Sequence, residues 1–172
     1  MSALIVYESM YGNTAAVAHA IGEGLVSHGV AAVVVEVSDA SVEDAMASDL
    51  LVVGGPTHAH GMTRTTTRTT AIEDKKNAYD HPTVGPGLRE WLDRLPDAKG
   101  HRAAAFDTRI HGPAALTGAA SKGIAHRLTE RGFHLVADRV SFLVSKDNTL
   151  RDGELEAASA WGATLAATRA AV

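Results

Sequence analysis

The 172-residue sequence contains no cysteine, which excludes disulfides, thiolate metal sites, iron–sulfur clusters and a nucleophilic thiol. It has no apolar run near the roughly 20 residues that a membrane helix needs; the strongest runs, Val30–Val35 and Leu50–Val53, are far shorter. Its 16 Lys and Arg, set against 20 Asp and Glu for a net charge of −4, form no run, so no nucleic-acid surface is expected, because neutralising many phosphates needs a concentrated basic face. No basic segment precedes the first apolar stretch, so no secretory leader is expected and a cytoplasmic location is. The nine histidines remain as the main candidates for chemistry.

What is present is an ordinary globular composition, 45% hydrophobic and 21% charged, in a length that suits one domain over residues 1–172. Leu4–Tyr7 reads as a strand and Glu8–Asn13 as a turn; from Thr14, Val17, Ile21 and Leu25 recur every four positions up to a stop at His28-Gly29. Ala31–Val37 is nearly continuous in β-formers and predicts a strand covered on both faces. Val42–Met46 reads as a short helix and Leu50–Val53 as a buried strand stopped by Gly54-Gly55-Pro56. Thr57–Gly87, with its Thr/Arg-rich segment at 63–70 carrying Arg64 and Arg68, reads as a long surface excursion. Leu88, Trp91, Leu92 and Leu95 mark a helix before Pro96, Ala103–Phe106 a fourth strand, and Gly118–Arg131 a helix ended by Gly132. Phe133–Val136 and Val140–Val144 supply the last strand material. A final helix is expected over Asp152–Ala167, with Asp152 as N-cap and Leu155, Ala158, Gly162 and Leu165 facing inward.

Five strand regions alternating with helices predict an α/β fold: one doubly wound five-stranded parallel sheet with helices on both faces. Ligands in such sheets bind outside the carboxyl ends of the strands, where strand order reverses. That directs attention to Glu8–Thr14, Gly54–Arg64 and Asp107–Gly112.

The first of these offers Ser9, Asn13 and Thr14 beside the amides of a helix start, a setting for a phosphate. It has no Lys or Arg, unlike a nucleoside-triphosphate loop, and one glycine, Gly12, where a dinucleotide fingerprint has three. "LIVYESMYGNT" resembles the phosphate loop of flavodoxins and flavodoxin-like quinone reductases. "LLVVGGPTHAHGM" is similar to the family's third strand and following loop, and "AAAFDTRIHG" sits where its fourth strand and third flavin loop belong.

The resemblance implies FMN, with its phosphate on Ser9, Met10, Tyr11, Gly12, Asn13 and Thr14. Its ring would lie between Pro56, Thr57, His58, Ala59, His60 and Gly61 on one side and Asp107, Thr108, Arg109, His111 and Gly112 on the other. Gly61, tolerant of either sign of φ, would permit a peptide flip beside the flavin that favours its one-electron-reduced form. The ring loops hold neither Trp nor Tyr, so His58, His60 and His111 are the planar side chains on offer, and these titrate near neutral pH. The same three histidines are a weaker metal-site candidate, lacking a nearby carboxylate pair. Asp107 reads equally as a group orienting a ring nitrogen and as a turn former or helix cap; Arg109 reads equally as a contact for an anionic substrate or partner and as a solvated charge. His19, His28, His126 and His134 read as surface or packing residues, Trp91 and Trp161 as core or interface.

The implied function is an FMN electron carrier serving a redox partner protein or a quinone, in which a site that withholds positive charge makes the reduced flavin anion costly. An FMN-dependent NAD(P)H:quinone oxidoreductase and a flavodoxin-fold module without flavin are the alternatives. Nothing in the sequence specifies the oligomeric state.

Overall fold

The computed structural model describes residues 1–58, 61–63 and 86–168. The chain runs β1 (Ser2–Tyr7), α1 (Asn13–Ser27), β2 (Ala31–Glu36), α2 (Val42–Ala47), β3 (Leu50–His58) and β4 (Gly61–Met62). It continues as α3 (Leu88–Asp93), β5 (Arg102–Ile110), α4 (Ala114–Thr117), α5 (Ala120–Glu130), β6 (His134–Leu135), β7 (Val140–Val144) and α6 (Glu154–Ala167). The strands lie in the order β2-β1-β3-β5-β6, all parallel. β6 and β7 are two pieces of one outer strand: β6 pairs with the start of β5 and β7 with its end, Phe106 opposite Val140 through Ile110 opposite Val144. The sheet therefore has the five parallel positions expected, plus the two-residue β4, which folds back antiparallel on the end of β3.

Two separate cores flank the sheet. On one side Ile5, Val52 and Phe106 pack against Val17, Ile21 and Leu25 of α1 and Ala158 and Leu165 of α6. On the other, Leu4, Val6, Leu51 and Val53 meet Leu88, Trp91 and Leu92 of α3 and Ile124 and Leu128 of α5. Trp91 is fully buried and its Nε1 donates to Ala40 O at 2.9 Å. Trp161 stands edge-on to Phe106 and Phe142, so both tryptophans are packing residues. No helix among the described residues is long and apolar enough to cross a membrane.

Four expectations are corrected. β3 does not stop at Gly54-Gly55-Pro56; it runs on to His58, with Gly54, Gly55 and Pro56 opposite Phe106, Asp107 and Thr108. Gly54 is there for space: a Cβ would lie 2.0 Å from the Phe106 ring. β5 likewise extends to Ile110, held by β7, so Asp107–Ile110 is strand rather than loop. β2 is not covered on both faces, because the strand order puts it at the sheet edge and leaves Val33 62% exposed. Finally, Asp152 does not cap α6; Gly153, at φ 83°, turns the chain into it, and Leu155 in its first turn faces outward at 41% exposure.

Candidate functional site

Strand order reverses between β1 and β3, and beyond their carboxyl ends lies a cleft open to solvent. Among the described residues, four segments form its walls. The turn from β1 into α1 contributes Met10, Tyr11, Asn13 and Thr14; β3 contributes Pro56, Thr57 and His58; β5 contributes Thr108, Arg109 and Ile110. The fourth joins Val144, the last residue of β7, with Asn148 in the turn after it. The lining of the cleft, largely apolar with a few placed polar groups, has the character of a small-molecule site.

The turn is shaped from within. Gly12 sits at φ 87°, a left-handed conformation that other residues adopt at a cost, and it starts α1 at Asn13. Ser9, 1% exposed, accepts hydrogen bonds at Oγ from Gly12 N at 3.2 Å and Ala15 N at 3.4 Å. Ser9 and Gly12 thus fold the turn, while Met10 and Tyr11 line the cleft. Thr14 Oγ1 and Thr108 Oγ1 share a buried hydrogen bond of 2.7 Å, which fastens α1 to β5. Asn13 Nδ2 donates to Asn148 O at 2.8 Å and so ties the first segment to the fourth. The first-turn amides of Asn13 and Thr14 have no acceptor within the helix.

At the end of β3, His58 is half-buried and its ring lies 6.4 Å from that of Tyr11 at 36°. Its Nε2 is buried with no hydrogen-bond partner among the described residues, and burial holds the imidazole below its usual pKa. Thr57 points across the sheet, accepting from Ala120 N at 2.8 Å at the start of α5. Asp107 does the same from β5: fully buried, it accepts from Ser121 N at 2.7 Å through Oδ2. Of the two roles open to Asp107, the helix cap is the one its geometry fills.

Arg109 is neither a loop residue nor freely solvated. It is half-buried on β5, and its Nη1 donates to Gly112 O at 2.7 Å and Thr117 Oγ1 at 3.0 Å. Arg109 is among the residues lining the cleft, and its guanidinium is directed to the loop after β5. His111 is exposed and Gly112 lies beside it; neither lines the cleft. Gly61 pairs with His58 in the β3–β4 hairpin. Ala59, His60, Arg64 and Arg68 lie outside the described residues, and among those described no group of three His, Asp or Glu is placed to hold a metal ion.

Sequence reasoning missed Ile110, Val144 and Asn148. A signal existed for the last: the polar run Ser145-Lys146-Asp147-Asn148-Thr149 follows a strand, as the other binding segments do. Asn148 takes φ 63°, and Ser145 closes the turn through its N–H to Thr149 O at 2.8 Å. The Ser145 hydroxyl beside Asp147 holds that carboxyl below its usual pKa.

These residues fit a flavin mononucleotide in two respects. A helix start in the wall suits the phosphate, and the apolar flanks with an unpartnered His58 nitrogen suit a heteroaromatic ring.

No curated protein matches the chain. Among solved structures, an archaeal flavodoxin is similar at TM-score 0.67 and 22% identity over 97% of each chain. A flavodoxin of Streptococcus pneumoniae TIGR4 is similar at TM-score 0.69 and 18% identity, over 97% of this chain and 99% of that one. The flavodiiron core Flv1 of Synechocystis sp. PCC6803 matches all of this chain with 37% of its own, at TM-score 0.65 and 20% identity. At these identities the structures speak for the fold. The family model described as Flavodoxin, however, matches residues 5–161, so the chain belongs to the flavodoxin family.

Proposed function

We propose that the cleft binds FMN and that the protein carries electrons between redox partners. The observation that carries this reading is the joining, in one cleft, of the α1 start with the extended ends of β3 and β5. Met10, Tyr11, Asn13 and Thr14, in a turn shaped by Ser9 and Gly12, would take the phosphate. The ring would lie between His58 with the residues after it, Ala59, His60 and Gly61, and Thr108–Ile110 with the following His111 and Gly112. Family membership supports a flavin, and the relatives include a protein described as oxidised Flavodoxin 1 from Bacillus cereus. When bound, FMN supplies the electron-accepting and electron-donating chemistry; the protein contributes affinity, orientation and local charge.

The first test is the visible spectrum of the purified protein, followed by titration of the apoprotein into FMN with flavin fluorescence as the readout. A yellow protein, or quenching with sub-micromolar affinity, is the expected result. No binding of FMN, FAD or riboflavin would overturn the reading. Rapid turnover of NADH or NADPH with a benzoquinone at low protein concentration would replace the carrier with an oxidoreductase.

A further inference from the structure

We propose that the open edge of β2 docks an extended segment of a partner protein that carries Lys or Arg at its ends, adding a strand to the sheet. Among the described residues β2 pairs with β1 alone, so one side of its backbone presents N–H and C=O groups to no neighbouring strand. Proteins guard such an edge with a lysine, a proline, a bulge or an inward-pointing charge. β2 has none of these. It reads Ala31-Ala32-Val33-Val34-Val35-Glu36, its only charge stands at the last position, and it pairs with β1 residue for residue from Ser2 opposite Ala31 to Tyr7 opposite Glu36. Val33, in the middle of the strand, is largely exposed. No β2 residue lines the cleft, so docking here leaves that site open and does not depend on bound FMN.

Charge decides what covers the edge. No Lys or Arg precedes Arg64 in the sequence, so β1, α1, β2, α2 and β3 carry none. Because β2, β1 and β3 are neighbours in the sheet, this cation-free stretch of sequence is also one flank of the molecule. Asp39, in the turn that leaves β2, and Glu43 and Asp44, in the first turn of α2, are exposed there, and none of the three is in an ion pair among the described residues. A second copy of the chain laid against β2 through its own β2 would set carboxylates against carboxylates. A segment with cations at its ends meets opposite charge at the rim instead, while its backbone supplies the hydrogen bonds that the edge lacks.

The probe is a short amidated peptide of alternating valine and threonine with paired lysines at both ends, titrated into the isotope-labelled protein as purified, with backbone amide shifts as the readout. Saturable shifts and slowed hydrogen exchange centred on residues 31–36, weakened by added salt, are expected. The same peptide with glutamates in place of the lysines should bind about tenfold more weakly, or worse. Val33→Lys, which places a guarding cation at an exposed position on the edge, should weaken the lysine peptide about tenfold and leave the thermal midpoint close to that of the wild type. Asp39→Asn and Asp44→Asn, which keep the edge and remove charge from its rim, should each weaken it about two- to fivefold. Equal affinity for the two peptides, shifts centred away from β2, or no shift at about 1 mM lysine peptide overturns the proposal. So does dimerisation of the wild type, seen by sedimentation and abolished by Val33→Lys, which would make a second copy the occupant.

Discussion

Glu8 Oε2 accepts a hydrogen bond from Leu88 N at 2.7 Å, joining the end of β1 to the start of α3 across 80 residues of sequence. Thr63 donates to the other carboxylate oxygen, and Glu8 itself is 1% exposed. The carboxylate is thus a buried knot beneath the site, binding β1, the residue after β4 and α3. Replacing Glu8 with Gln leaves a donor where two donors already point inward. The expected loss is about 1–3 kcal/mol of folding stability, read as a lower urea midpoint with an unchanged m-value.

His58 makes stability depend on pH. Above the ordinary histidine value of about 6.5 the imidazole is neutral in both folded and unfolded chains. As pH falls through that value the unfolded chain takes up a proton that the buried ring resists, so folding stability declines until the lower folded value is passed. His58→Gln should flatten this decline, which denaturation of both proteins at about pH 7.5 and about pH 5.5 would measure. Equal slopes in the two proteins would contradict the assignment.

The start of α5 is capped twice, by Thr57 from β3 and Asp107 from β5. Asp107→Ala should cost about 0.5–2 kcal/mol, and Thr57→Val less than that. Because the two caps act on one helix turn, the double variant should depart from additivity, a result that thermal unfolding of all four proteins would resolve.

Gly162 and Gly24 let α6 and α1 touch backbone to backbone: a Cβ on Gly162 would lie 2.2 Å from Ile21 O, and one on Gly24 2.0 Å from Ser159 O. Neither obstacle is a side chain that can swing away. Gly162→Ala is expected to destabilise by about 1–3 kcal/mol, the range for overpacking, whereas Gly100→Ala, with open space around it but φ 87°, should cost about 1–2 kcal/mol from backbone strain alone.

Gly12→Ala should separate shape from stability in the turn before α1. Its left-handed backbone costs an alanine about 1–2 kcal/mol, and relief of that strain would move the first turn of α1. The expected outcome is a modest loss in thermal midpoint with a larger loss of FMN affinity by fluorescence quenching.

Much of this arrangement was legible in the sequence, and the errors share a cause. The succession of strands and helices along the chain, the turn at Ser9–Thr14 and the helical stripes of α1, α3 and α5 follow from apolar period and turn chemistry, which are local signals. Gly54-Gly55-Pro56 carries the same local signal for a stop, yet it is strand, because Phe106 on the neighbouring strand needs the room at Gly54. Val33 has the side chain of a buried strand and lies at an edge, a property of sheet order that no window of sequence contains. In the site, the α1 turn was readable because its chemistry is contiguous. Asn148 had a local signal in the polar run after a strand, but its place beside Asn13 arises only when β7 aligns with the end of β5. Arg109 was readable as a charge, but its bonds to Gly112 O and Thr117 Oγ1 are visible only with its neighbours in place.

The backbone contact of α1 with α6 also bears on the order of synthesis. α1 leaves the ribosome before α6, which follows well over a hundred residues later. Until then Ile21 and Leu25, fully buried in the finished protein, lack part of their cover. The turn that opens α1 is therefore built early but braced late, and a nascent chain should acquire a firm cleft only after the segment bearing Gly162 has cleared the exit tunnel.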